Sequence, residues 1–128
     1  MDNTLKKLDL EFFGTGQHKI NPDKFLEQRG AIFLDVRTKE EVKTLSFDFN
    51  YFGIRVINIP LNELSERYNE LPKDVLIGIF CSGGMRAAIA YAFLLSKGYD
   101  KTKWIEAGNE QITALLKPGL IYKNSSKI

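Results

Sequence analysis

The sequence predicts an α/β fold on a largely parallel sheet, and three observations carry that expectation. Residues 31–36 and 75–80 are short runs that are apolar nearly throughout, the pattern of strands buried on both faces. Each run is followed by helix signals: Thr38-Lys39-Glu40-Glu41 after the first, and the alanine-rich stretch 86–97 after the second. Apolar strands alternating with helices need helices on the sheet faces, which is the α/β arrangement.

Taken in order, residues 1–18 hold an apolar group, Leu8, Leu10, Phe12 and Phe13, and then the turn signal Gly14-Thr15-Gly16. A short edge strand and a packed arm fit this segment equally. Asn21-Pro22 starts a helix, with Asn as cap and Pro at the first helical position. Phe25 and Leu26 are its buried side, and Arg29-Gly30 its stop. After the strand 31–36, Thr38 and Glu41 form a capping box that opens a short helix. Phe47, Phe49 and Tyr51 alternate with Asp48 and Asn50, and Arg55-Val56-Ile57-Asn58-Ile59 alternates again up to Pro60, so one or two strands are expected here. Leu61, Leu64 and Tyr68 space as a small helix, with Glu63 and Arg67 as a favourable i,i+4 pair. Leu71-Pro72-Lys73-Asp74 is a turn before the strand 75–80. In the following helix, Ile89, Phe93 and Leu94 mark the expected buried stripe, and Gly98 is the stop. Lys103-Trp104-Ile105-Glu106 is a short strand. Asn109 caps a last helix to about Leu116, closed by Pro118-Gly119. The tail beyond carries Lys123 and Lys127 and no acid, and reads as a solvated end.

Composition limits the chemistry. The chain has 128 residues, 44% hydrophobic and 27% charged, which is ordinary for one globular domain. Eighteen basic against 16 acidic residues give +2, too small an excess to predict nucleic-acid binding. No segment approaches the roughly 20 apolar residues of a membrane span. The charged start lacks a signal-peptide core, so a cytoplasmic protein is expected. One cysteine, Cys81, and one histidine, His18, leave no intrachain disulfide and too few soft ligands for a zinc cluster. A nucleophilic triad would need His18, which reads as a surface loop residue. Covalent chemistry therefore falls to Cys81, and no metal or other cofactor is expected.

Cys81-Ser82-Gly83-Gly84-Met85-Arg86 joins the second apolar strand to the alanine-rich helix. In parallel sheets ligands bind outside the carboxyl ends of strands, which is where Cys81 falls. Two glycines let successive N–H groups turn inward into an anion cradle. The helix start adds its unpaired N–H groups, and Arg86 adds a cation. Such settings lower a thiol pKa from about 8.5 by one to several units. A reactive thiolate in an anion-binding cradle is expected. A phosphate-binding P-loop is disfavoured because its lysine is absent.

With these residues in view, the chain resembles a single-domain rhodanese, a rhodanese-like sulfurtransferase. Leu34-Asp35-Val36-Arg37 with Glu40-Glu41 is similar to the family's first signature. Ile57-Asn58-Ile59-Pro60-Leu61 is similar to its middle signature, and Cys81 to Arg86 to its active-site loop, with arginine five positions after cysteine. Gly98-Tyr99 and Glu106-Ala107-Gly108 resemble the closing segment. The resemblance runs from about Lys19 to Leu116. It departs where Tyr51-Phe52-Gly53-Ile54-Arg55-Val56 replaces the usual G-H-I-P-G-A, where one glycine is missing after Glu106, and where Ile112 lies near the position of an expected tryptophan.

The resemblance implies a central, mostly parallel five-stranded sheet flanked by helices. It implies a domain over residues 19–116, an N-terminal extension over 1–18 and a tail over 117–128. Its mechanism is persulfide transfer: Cys81 takes the outer sulfur of a donor such as thiosulfate and passes it to cyanide or a thiol. The N–H groups from Ser82 to Arg86, with Gly83, Gly84 and Met85 between, would hold the anion. The implied partners are a small-molecule sulfur donor and a thiol or cyanide acceptor, with a protein sulfur acceptor as a further candidate, and neither nucleic acid nor membrane. Arg86 has two candidate roles, binding an anionic donor or pairing with an acid such as Asp35 to fix the loop, and the second is favoured. Met85 lines the pocket mouth or packs. Asp35 and Arg37 read as supporting residues, Asp35 capping the next turn and Arg37 pairing with Glu40 or Glu41. Arg55 is a solvated cation or an anion contact. The aromatic stripe 47–51 is core, or a partner patch if exposed. Two alternatives remain at this level. One is a non-enzymatic persulfide carrier or interaction module. The other, weaker, is a phosphatase or arsenate reductase of related architecture, whose C-x5-R pattern would need arginine where Ala87 stands.

Overall fold

The computed structural model describes residues 1–116. The expectations at Pro118-Gly119, Lys123 and Lys127 lie outside the described residues. The sheet is built from β1 (Lys19–Ile20), β2 (Ile32–Asp35), β3 (Arg55–Asn58), β4 (Ile77–Phe80) and β5 (Thr102–Ile105). All four pairings are parallel and the order is β1-β5-β4-β2-β3. The two apolar runs become the interior strands β2 and β4, every residue of which is buried. The alternating run becomes the edge strand β3, which exposes Arg55.

Helices cover both faces, as a parallel sheet requires. Ile32, Leu34, Ile77, Ile79 and Cys81 pack with Ala87, Ala90, Tyr91 and Leu94 of α6 (Met85–Ser96) on one side. Phe33 and Phe80 pack on the other side with Phe25 of α3 (Pro22–Leu26), Phe47, Phe49, Phe52 and Ile112 of α7 (Asn109–Leu115). Gly78 sits where only hydrogen fits: a Cβ there would lie 2.5 Å from Phe25 and 2.8 Å from Ile105.

Several local expectations need correction. Of the two readings of residues 1–18 the edge strand fails and the packed arm holds, built as two short helices, α1 (Asp2–Lys7) and α2 (Leu10–Gly14). Asp9 caps α2 by accepting from the Phe12 N–H, and the buried Thr4 anchors α1, which packs on α6. The helix at Asn21-Pro22 ends at Leu26, before Gly30, whose φ of +88° turns the chain into β2. Phe47 and Phe49 are buried, but no strand pairs with them. A 3-10 turn, Asn50–Phe52, follows and leaves Tyr51 half exposed, so period two here reflects burial without a ladder. In α6 the buried positions are Ala87, Ala90, Tyr91 and Leu94, while Ile89 is 53% exposed. Of the expected stripe Leu94 is buried, and Ala87, Ala90 and Tyr91 complete it. The last helix is entered from Gly108, whose N–H donates to Gln111 Oε1, and not from an Asn109 cap. The Thr38/Glu41 capping box of α4 (Lys39–Thr44), the small helix α5 (Leu64–Arg67) and the Glu63–Arg67 pair at its start form as expected. No helix among the described residues is long and apolar enough to cross a membrane.

Candidate active site

The chain runs outward to β3 after β2, then returns past β2 to β4. The strand order therefore reverses between β2 and β4, and the crevice at their carboxyl ends is the place where such sheets bind ligands. Two loops meet there, 36–38 after β2 and 81–84 after β4.

Cys81 is the first residue after β4 and is 2% exposed. Its Sγ accepts from the Gly84 N–H at 3.0 Å and from the Ala87 N–H at 3.2 Å. The second donor belongs to the first turn of α6, where N–H groups have no intrahelical partner. Gly84 makes this possible with a φ of +88°, a region that side-chain-bearing residues avoid. A Cβ on Gly84 would also lie 3.3 Å from the Trp104 indole, whereas at Gly83 it would meet open space. The loop is thus braced from below by Trp104 and open above.

Arg86 does not pair with Asp35. Its guanidinium forks onto Glu41, Nη1 to Oε1 at 2.6 Å and Nη2 to Oε2 at 3.0 Å, with a third donation to Ser82 Oγ at 3.3 Å. Glu41 in turn accepts from the Thr38 N–H and hydroxyl. The Arg86 guanidinium, then the Thr38 N–H, hold the Glu41 carboxyl down at about 2; the same contact raises Arg86 above its ordinary value. The capping residue of α4 is therefore also the anchor that ties the cysteine loop to the β2 side of the crevice.

Asp35 and Arg37 pair with each other, and not with the neighbouring glutamates. Arg37 Nε donates to Asp35 Oδ1 at 2.9 Å and Nη2 to Oδ2 at 2.7 Å, with both side chains 2% exposed. Arg37 Nη2 also donates to the Leu45 carbonyl, and the guanidinium lies over Phe47 and Phe80. Asp35 does accept from the Arg37 N–H, as a turn cap would. The Asn58 amide fastens the same turn by donating to the carbonyls of Asp35 and Arg37. Asp35 and Arg37 therefore act inside the protein, away from solvent.

A groove of about 750 Å³ opens beside the loop. Ser82, Gly83 and Gly84 line it together with Trp104, Glu106, Gly108, Gln111, Asn21 and Asp23. Met85 is 77% exposed, so it does not pack. Arg55 stands exposed on the β3 edge, outside the groove lining. His18 is not a plain surface residue. Its ring stacks on Trp104 and meets Phe13 edge-on, with Nδ1 buried and unpartnered. Desolvation, then Lys19, hold its pKa below the usual histidine value. No group of metal-ligating side chains gathers among the described residues. Sequence reasoning missed Glu41 as the arginine's partner and the whole groove wall. The capping box pointed to Glu41, but nothing local pointed to a contact between residues 45 positions apart.

The rhodanese-like domain model matches residues 22–115. The chain is 26% identical over 72 residues to a tRNA sulfurtransferase of Psychromonas ingrahamii, covering 56% of this chain and 14% of that protein. It therefore spans about a seventh of that relative's length. Among solved structures, a rhodanese-related protein from Thermoplasma volcanium superposes with a TM-score of 0.62 at 27% identity, over 79% of this chain and 95% of the other. A NAD-dependent persulfide reductase from A. fulgidus superposes at 0.59 with 32% identity, over 77% of this chain and 17% of that one.

Proposed function

This chain belongs to the rhodanese-like domain family, and from that premise we propose that it is a sulfurtransferase that moves sulfane sulfur through a persulfide on Cys81. The observation that carries the proposal is the pair of N–H groups, from Gly84 and Ala87, that converge on Sγ at the start of a twelve-residue helix. Donors preset around a sulfur stabilise negative charge on it without reorganisation, as an oxyanion hole does for oxygen.

Sγ attacks the outer sulfur of a donor such as thiosulfate. The new S–S bond forms, the donor's S–S bond breaks, and sulfite leaves with the electron pair. The outer sulfur then sits over the open side of the loop, at Gly83, where the N–H groups from Ser82 to Arg86 surround it. A thiol, or cyanide in an assay, takes it and restores the thiolate. Nucleophilic attack by the sulfur needs no histidine base beside it, which suits a chain whose single histidine stacks on Trp104. The reading places the transferase domain at residues 19–116, with 1–18 an extension packed on it.

Arg86 supports this reading over a phosphatase. Its guanidinium is committed to Glu41 and so is not presented to a tetrahedral oxyanion. The test is steady-state thiocyanate formation from thiosulfate and cyanide. Turnover that is abolished in Cys81→Ser supports an enzyme. Failure to turn over, with efficient transfer from a loaded Cys81 to one thiol acceptor, would make the chain a carrier instead.

A further inference from the structure

The groove that borders the cysteine loop at Ser82, Gly83 and Gly84 carries its own selectivity. Two carboxylates line it, Asp23 and Glu106. Glu106 is half exposed and shares its charge with Lys19 at 3.1 Å. Asp23 has no cation within ion-pair distance among the described residues. The arginine nearest the cysteine is neutralised by Glu41. The remaining polar lining from Asn21, Ser82 and Gln111 is uncharged, and the Trp104 indole completes the wall. The described lining is thus net negative, next to a cradle that receives one anionic sulfur.

A dianion such as thiosulfate brings a second negative charge towards a groove whose unpaired charge is the Asp23 carboxylate. A sulfane donor that also carries an ammonium group meets the cradle with its sulfur and the carboxylates with its nitrogen. Aromatic walls add to the attraction for a cation. We infer that the preferred donor is an ammonium-bearing persulfide, R–S–SH with a protonated amine a few bonds from the sulfur. The inference rests on the persulfide reading of Cys81. The step balances without a further reagent. The Cys81 thiolate bonds to the terminal sulfur, the S–S bond of the donor breaks, R–S⁻ leaves with the electron pair, and the proton stays on the transferred sulfur.

The test compares two donors of matched length, the persulfides of cysteamine and of 3-mercaptopropionate, with thiosulfate as a third. Loading of Cys81 in the full chain is followed by intact mass at low ionic strength. Charged clefts raise the local concentration of a complementary ligand by about tenfold or more, so the ammonium donor should load about tenfold faster than the carboxylate donor at low concentration. The ratio should shrink at high salt, where a Debye length of about 3 Å screens the groove. It should also shrink in Asp23→Asn and in Glu106→Gln. Equal loading of the two matched donors, or faster loading of the carboxylate, would overturn the inference while leaving the persulfide intact. Loading by none of the three would overturn both.

Discussion

Glu41 performs two tasks, and Glu41→Gln separates them. Its carboxylate accepts two hydrogen bonds from Arg86, at 2.6 and 3.0 Å, and one from the Thr38 N–H at 3.0 Å. Glutamine keeps an acceptor for Thr38 and removes the charge that holds Arg86. The ion pair is about one-third exposed, with side chains at 32% and 36%. Solvent screening then limits it to about 1 kcal/mol despite its forked geometry. Glu41→Ala also removes the capping contact, for about 1 kcal/mol more. Urea denaturation should therefore show losses of about 1 kcal/mol for Glu41→Gln and for Arg86→Gln, and about 2 kcal/mol for Glu41→Ala. The double variant Glu41→Gln/Arg86→Gln should lose about 1 kcal/mol rather than 2, a coupling well above the roughly 0.3–0.5 kcal/mol of independent sites. Additive losses would refute the anchor. The pH dependence has a definite sign: the folded carboxyl lies at about 2, below its ordinary 4.5. Its contribution is thus present in full above pH 4.5 and is lost as pH falls towards 2. A second readout concerns Arg86 itself. If it anchors the loop, both single variants slow sulfur loading alike; if it binds donor, only Arg86→Gln raises the donor concentration needed.

Three further outcomes follow. Arg37→Met leaves Asp35 charged and unpaired at 2% exposure, and should cost about 3–5 kcal/mol in chemical denaturation, whereas an Asp35→Leu/Arg37→Met double variant should recover part of it. Gly84→Ala forces a side chain onto φ +88° and against Trp104, so it should lose about 1–3 kcal/mol and slow sulfur loading, while Gly83→Ala, whose Cβ would meet open space, should leave stability unchanged. Desolvation lifts the Tyr91 phenol to about 12. Spectrophotometric titration should find it ionising well after an exposed tyrosine, and the stability it contributes below pH 10 should fade as pH rises to about 12.

The parts of this fold that are local in sequence were legible, and the parts that depend on distant partners were not. Apolar runs located β2 and β4 because strands buried on both faces are apolar nearly throughout, Asp35 at the end of β2 being the exception. The Thr38/Glu41 box and the cysteine loop were readable because caps and glycine turns are decided within a few residues. Of the one or two strands expected up to Pro60 one forms, β3, because over 46–53 burial alternates without a neighbouring strand and the period there reports the core. The helix stripe misled because Ala87 and Ala90, the residues that touch the sheet, carry little hydrophobicity, while the larger Ile89 faces outward. Within the site, Cys81 and its glycines could be placed from sequence, but the partners of Arg86 and Arg37 could not. Each arginine had several acids within reach of the chain: the packing of β2 against β4 brings Glu41 to Arg86 across 45 positions, whereas Arg37 takes Asp35, two positions back, because its guanidinium is buried over Phe47 and Phe80. The groove wall, drawn from residues as far apart as Asn21 and Gln111, carries no local signal at all.

The most direct measurement is the intact mass of the full chain after incubation with a sulfane donor and removal of excess reagent. One added sulfur atom is expected, located on Cys81 by peptide mapping, released by dithiothreitol or cyanide, and absent from Cys81→Ser. An unmodified chain under conditions that load other persulfide-forming proteins, or an adduct that persists in Cys81→Ser, would contradict it.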